Sequence, residues 1–273
     1  MGRMNIDVAV IPCAGSGTRM RPATRILPKP MIPVIDRPVI QYVVEEAVSA
    51  GVSEVVLVLD DRPGDPVLRH FLEGEPIPGL QDVTFHRVLQ DHPHGLGDAV
   101  LRAAEVVGDR PFLCMLSDMF PVPGASFARR MVEAFDGRTL VAVQEVAGEL
   151  LDRYGIVAVG EKSGDLVEVV GAVEKPGADN APSNLGLVGR YVFPPEIFTA
   201  LTAIDPGHGA EIQLTDAINR LAIHGGALGL VVGESLLDIG VPAGLLEATA
   251  AVGLAREDLA PAFRAWLARV LDI

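Results

Sequence analysis

The chain has 273 residues, 49% hydrophobic and 21% charged, with 29 Gly, 21 Pro and two Cys, so it can bury a large core without disulfides or a structural metal, and disorder, coiled coil and a stapled module are excluded. The formal net charge of −14, from 36 acidic and 22 basic residues, argues against a nucleic-acid partner. No apolar run approaches the roughly 20 residues that span a bilayer and the first residues lack a signal-peptide core, so a cytoplasmic protein with no membrane partner is expected.

Predicted elements alternate strand and helix in the first half. Asp7–Pro12 is an apolar run ending in glycines, and Glu54–Leu59, Val83–Val88 and Phe112–Leu116 are further strands. Between them, Val39, Ile40, Val43, Val44, Ala47 and Val48 mark one face of a helix started by Pro38. Ala99, Val100, Ala103, Ala104, Val106 and Val107 mark a second. Cys13 and Cys114 sit in the apolar runs and are expected to be reduced and buried.

After about Gly137 four strands follow with few helices between them: Leu140–Val146, Ile156–Val159, Leu166–Val173 and Leu185–Val192. Helices resume at Pro195–Thr202 and Glu211–Ile223, then comes a strand at Leu228–Val232 and two closing helices, Ala243–Leu254 and Asp258–Leu271. The pattern predicts a doubly wound, mixed but mainly parallel α/β sheet with helices on both faces and a small added β subregion. One domain is expected, with two halves at 1–136 and 137–240 and C-terminal helices at 241–273.

Ligands of such a sheet sit beyond the carboxyl ends of its strands. The loop after the first strand reads Cys13-Ala14-Gly15-Ser16-Gly17-Thr18-Arg19, followed by Leu27-Pro28-Lys29-Pro30. It lacks the third glycine of a dinucleotide fingerprint and the Gly-Lys-Ser/Thr of a P-loop. Gly15 and Gly17 let the backbone approach a phosphate chain and aim N–H groups at it, and Arg19 and Lys29 supply charge. From Arg19 to Arg37 five basic residues face one acid, Asp36, so positive charge gathers there while the rest of the chain is acidic. Asp118 follows a strand in Leu-Ser-Asp, where a carboxylate can hold Mg²⁺.

With these boxes the chain resembles the sugar nucleotidyltransferases. Ile40–Glu46, Ala181–Leu185, Gly189-Arg190-Tyr191-Val192, Glu211–Ile218 and Phe263–Leu267 are similar to its uridylyltransferase branch rather than its thymidylyltransferase branch. The resemblance implies a Rossmann-like nucleotidyltransferase fold, with 1–136 as the nucleotide-binding half and 137–240 as the sugar-phosphate-binding half. The implied partners are a nucleoside triphosphate, UTP before dTTP, and a hexose 1-phosphate, glucose 1-phosphate first. The products are an NDP-sugar and pyrophosphate. It assigns Ala14, Gly15, Gly17, Thr18, Gln90 and Gly95 to the nucleotide, with the Gln90 amide offering both donor and acceptor to a pyrimidine edge. Tyr154, Gly155, Glu174 and Lys175 fall to the sugar phosphate, and Asp118 and Asp238 to Mg²⁺. Arg19, Lys29, Asp118 and Lys175 carry the catalysis. His92 and His94 lack the further ligands of a zinc site and read as loop residues.

No residue has the partners of a covalent nucleophile, so in-line displacement is the expected mechanism. The readings set against it are a thymidylyltransferase, a silent regulatory subunit on the same fold and a dinucleotide oxidoreductase. The chain departs from the uridylyltransferase branch at Gly209-Ala210, which removes an acid, at Val241-Pro242-Ala243, where a Lys is common, and in Pro-Lys-Pro for Pro-Lys-Glu. The segment Leu72–Asp82 is shorter than the insertion that helps join subunits in that branch. The stripe Phe263, Trp266, Leu267 and Val270 therefore either docks on its own core or forms the interface of a homo-oligomer.

Overall fold

A computed structural model describes residues 5–271 apart from 93, 126, 208–209 and 234–235. The chain runs β1 (Val8–Pro12), β2 (Pro33–Val34), β3 (Arg37–Pro38), α1 (Val39–Ser49), β4 (Glu54–Leu59), α2 (Pro66–Leu68), β5 (Thr84–Leu89), α3 (Leu96–Arg102), α4 (Ala104–Val107), β6 (Phe112–Met115), β7 (Met119–Pro121) and α5 (Phe127–Ala134). It continues through β8 (Thr139–Glu145), β9 (Gly155–Ser163), β10 (Leu166–Glu174), β11 (Leu185–Phe193), α6 (Glu196–Thr202), α7 (Leu214–Ala222), β12 (Ala227–Val231), β13 (Leu236–Asp238), α8 (Pro242–Ala255) and α9 (Ala260–Leu271).

A single nine-stranded sheet in the order β5-β4-β1-β6-β11-β8-β12-β10-β9 passes through both halves of the chain. β5, β4, β1 and β6 pair in parallel, and so do β8 and β12. β11 and β10 run against their neighbours. The expected β subregion is thus the far side of this sheet. Successive residues of a strand serve opposite faces: Ala9 and Ile11 join a core with α1, α5 and α8, while Val8 and Val10 join one with α3, α6 and α7. That double burial is why the strands read as continuous apolar runs rather than alternating ones.

Two predicted helices are corrected. The helix over Ala99–Val107 starts at Leu96 and breaks at Ala103, which is fully buried, so that Val107 turns back into the core. The helix predicted from Glu211 starts at Leu214, because Ile212 is held in the loop before it. Its N–H donates to His94 O at 2.7 Å and its carbonyl accepts from Gly97 N at 2.8 Å. A bond between distant loops overrides local helical periodicity.

The α9 stripe is divided. Phe263 packs towards Gly253 of α8 and stacks on Trp266 at 5.9 Å between centroids. Phe263 and Leu267 are half-buried, but Trp266 and Val270 are exposed. Docking on the chain itself therefore covers one edge of the stripe and leaves the other open. Among the described residues, no helix is long and apolar enough to cross a membrane.

Candidate active site

A cleft of about 390 Å³ opens beyond the carboxyl ends of β1, β5 and β6, where ligands of doubly wound sheets bind. β1 leads into it through Cys13, whose N–H donates to Val58 O at 2.8 Å. Gly15 has no neighbour within 4 Å of a Cβ built there, so its backbone faces open space. Gly17 is needed for a different reason. Its φ is 57°, and a Cβ would stand 3.0 Å from Thr24 Cγ2 and 3.2 Å from Lys29 Cβ. Thr24 Oγ1 also donates to Gly17 O at 2.7 Å, which ties the glycine loop to the turn Ala23–Arg25. Ala14 and Thr18 line the same cleft, and Arg19 extends from its rim, exposed.

The Lys29 ammonium, mostly buried, donates to Asp118 Oδ2. Asp118 lies between β6 and β7, and its carbonyl accepts from Ile239 N at 3.1 Å. β7 pairs with β13 so that Asp238 lies opposite Met119. This small sheet sets the two aspartates side by side from distant parts of the chain. Burial raises the Asp238 carboxyl above the usual aspartate range and the Asp118 charge adds to this, against the Gly240 N–H, Lys29 and Arg19. The Gly240 N–H donates to Asp238 Oδ1 at 2.6 Å.

Two adjacent hard oxygen donors suit Mg²⁺, which keeps water and substrate phosphates for its other positions. No group of three or more His, Cys, Asp or Glu capable of holding a metal occurs among the described residues, so the donor set fits an ion shared with a bound phosphate. His92 and His94 are exposed in their loop.

Gln90 follows β5 and is buried. Its Nε2 donates to Gly95 O at 3.0 Å and to Asp98 Oδ2 at 2.8 Å. Both amide hydrogens are spent on the protein, which corrects the expectation that the amide offers donor and acceptor together to a base. Gly95, at φ 101°, cannot carry a side chain, since a Cβ would lie 2.7 Å from Ile212 O.

The residues expected to meet the sugar phosphate lie at the start of β9 and the end of β10. Glu174 Oε2 accepts from Thr215 Oγ1 at 2.6 Å and Oε1 meets Lys175 Nζ at 2.7 Å. Lys175 has a left-handed backbone, φ 46°, and its N–H donates to Tyr154 O at 3.1 Å. Such strain in a non-glycine residue persists where surrounding structure fixes it. A Cβ on Gly155 would lie 2.7 Å from Thr215 Oγ1, so the backbone there must stay bare. The Tyr154 phenol is pushed up by burial first and then by the charge of Asp238, partly offset by Arg153 and Arg19.

Sequence reasoning missed Ser117, Glu211 and Gly240, which line the cleft, and Asp98 and Thr215, which hold other site residues. Thr215 lies inside the segment Glu211–Ile218 that carried the resemblance, whereas Asp98 gave no signal. Gly209 lies outside the described residues. Cys13 and Cys114 are free and buried, and burial pushes both thiols up.

The chain matches the nucleotidyl transferase family over residues 8–253. It is 34% identical to the UTP–glucose-1-phosphate uridylyltransferase YngB of Bacillus subtilis, covering 98% of this chain and 97% of that protein. It is 36% identical to the UTP–glucose-1-phosphate uridylyltransferase of Pseudomonas aeruginosa, over 89% and 95%. Among solved structures it superposes on a UDP-glucose pyrophosphorylase complexed with UDP-glucose at TM-score 0.86, with 30% identity over 92% of this chain and all of that one. It superposes on the UTP-bound enzyme of Acinetobacter baumannii at 0.85, with 32% identity over 96% and 99%. With a match that runs from β1 into α8 and relatives that align almost end to end, the chain belongs to the nucleotidyl transferase family.

Proposed function

We propose that the protein condenses UTP with glucose 1-phosphate to give UDP-glucose and pyrophosphate. The observation that carries this reading is the pairing of Lys29 with Asp118, beside Asp238, at the mouth of a glycine-loop cleft, with Glu174 and Lys175 paired at the end of β10. The relatives named for this reaction favour the same substrates.

The reaction brings two polyanions together, so charge must be met before any bond changes. The bare backbone at Gly15 and the Arg19 guanidinium suit the triphosphate. The Lys29 ammonium has three donors, so it can meet a phosphate oxygen at the reacting end of the cleft beside its bond to Asp118. Lys175 is the cation for the sugar phosphate, and Glu174, oriented by Thr215, accepts from sugar hydroxyls. A phosphate oxygen of the sugar then attacks the α-phosphorus, and pyrophosphate leaves in line on the far side, held by Arg19. No side chain forms a covalent bond, so rate comes from positioning and from fixed charge.

Asp118 and Asp238 are the residues that would hold Mg²⁺, which when bound neutralises charge on the α-phosphate. The test is formation of UDP-glucose by the purified chain from UTP and glucose 1-phosphate with Mg²⁺. Absence of product under those conditions would overturn the reading.

A further inference from the structure

Asp98 lies in the first turn of α3, buried against Gln90. Gln90 lines the cleft, and which end of its amide faces a ligand decides what that ligand must offer. The surroundings permit one orientation. Gly95 O, at 3.0 Å, and Asp98 Oδ2, at 2.8 Å, can only accept, so each takes one Nε2 hydrogen. Arg102 Nε donates to the other carboxylate oxygen at 3.2 Å and steadies it. The Gln90 carbonyl oxygen has no hydrogen-bond partner among the described residues. Turned over, the amide would set that oxygen against two acceptors and lose both bonds, one of them to a charged group.

We propose that Asp98 is a specificity-determining positioning residue: by taking an amide hydrogen of Gln90 it fixes the amide oxygen towards the nucleotide. This inference rests on the proposed function and deepens it. The acceptor presented by Gln90 matches a pyrimidine with a ring N–H between two carbonyls, as at N3 of uracil, and opposes cytosine, whose N3 is itself an acceptor. Uracil and thymine share that N–H, so Asp98 does not separate them.

A purely structural role is distinct in its consequences. An acid in the first turn of a helix interacts favourably with the helix dipole, and losing that alone lowers stability without changing which nucleotide binds.

The experiment is calorimetric titration of the full chain with UTP, CTP and dTTP in the presence of Mg²⁺, for wild type, Asp98→Asn and Asp98→Ser. Both replacements can donate as well as accept, which frees the amide to turn. The preference for UTP over CTP should fall by about tenfold or more in a folded variant, roughly the loss of one hydrogen-bond discrimination. The ratio of UTP to dTTP should stay within about twofold. An unchanged UTP-to-CTP ratio in either folded variant, equal weakening of all three nucleotides, or failure of both variants to fold would overturn the role of Asp98. Wild-type protein that binds UTP and CTP equally would instead overturn the base assignment of the proposed function. Because binding is read directly, a chain unable to use glucose 1-phosphate would still give the answer.

Discussion

Arg190 Nη2 lies 2.9 Å from Glu46 Oε2, an ion pair between β11 and α1 whose side chains are 0% and 4% exposed. The guanidinium also donates to the carbonyls of Gly189 at 3.0 Å, Leu116 at 3.4 Å and Met119 at 2.5 Å. Glu46 Oε1 accepts from Ala128 N at 3.1 Å. The pair therefore fastens both flanks of Asp118 to the core behind the cleft. Removing one member of such a pair strands a buried charge, and Arg190→Met should cost about 3–5 kcal/mol of stability. The double variant Arg190→Met/Glu46→Leu should recover part of that. Denaturant unfolding measures both, and a single-variant loss below about 1 kcal/mol would contradict the account.

Asp118→Asn and Asp238→Asn should each lower kcat by at least about 10²-fold, the size expected when a preorganised charge at the reacting phosphate is lost. Asparagine preserves shape and most hydrogen bonds, so the fold should persist by circular dichroism. Normal turnover by either variant would remove that aspartate from the metal site.

Lys175→Ala should mainly raise KM for glucose 1-phosphate, whereas Arg19→Ala and Lys29→Ala should mainly impair the use of UTP. Arg19 and Lys29 line the cleft after β1, whereas Lys175 follows β10, so the proposed roles put them on different anions. Kinetics with each substrate varied in turn tests the division, and equal effects of all three variants on both substrates would count against it.

These assignments show where the sequence is legible. β4 is read at Glu54–Leu59 because it is buried on both faces and bounded by polar residues, so composition alone marks it. The glycine loop, Lys29 and Asp118 are readable because their chemistry is local to a strand end. The start of α7 is not, since Ile212 is held by His94 and Gly97 across the fold. Arg190 reads as an ordinary strand residue until Glu46 is placed against it. Asp98 reads as a helix residue for the same reason, because its meaning is a contact with Gln90. Periodicity reports which face is buried and says nothing of a hydrogen bond between distant segments.

Stability should also fall in acid through Glu54. Its hydrogen bonds to Arg110, then the Arg110 charge and His86, hold its carboxyl below the ordinary glutamate range against the effect of burial. Arg110 Nη1 lies 2.8 Å from Glu54 Oε1. A depressed folded-state pKa contributes stability above the unfolded value of about 4.3 and loses it as pH falls through the folded value. Glu54→Gln should therefore be less stable than wild type at about pH 6, with the difference narrowing towards about pH 3. A difference independent of pH would contradict this, and denaturant midpoints across that range decide it.

The central claim is that the cleft joins a uridine nucleotide to glucose 1-phosphate. Pyrophosphate release measured with glucose 1-phosphate and Mg²⁺ across UTP, dTTP, CTP, ATP and GTP tests it most directly. The account predicts the highest kcat/KM with UTP and UDP-glucose as the matching product. Release that is fastest with dTTP, ATP, GTP or CTP, or absent with all five, would contradict it.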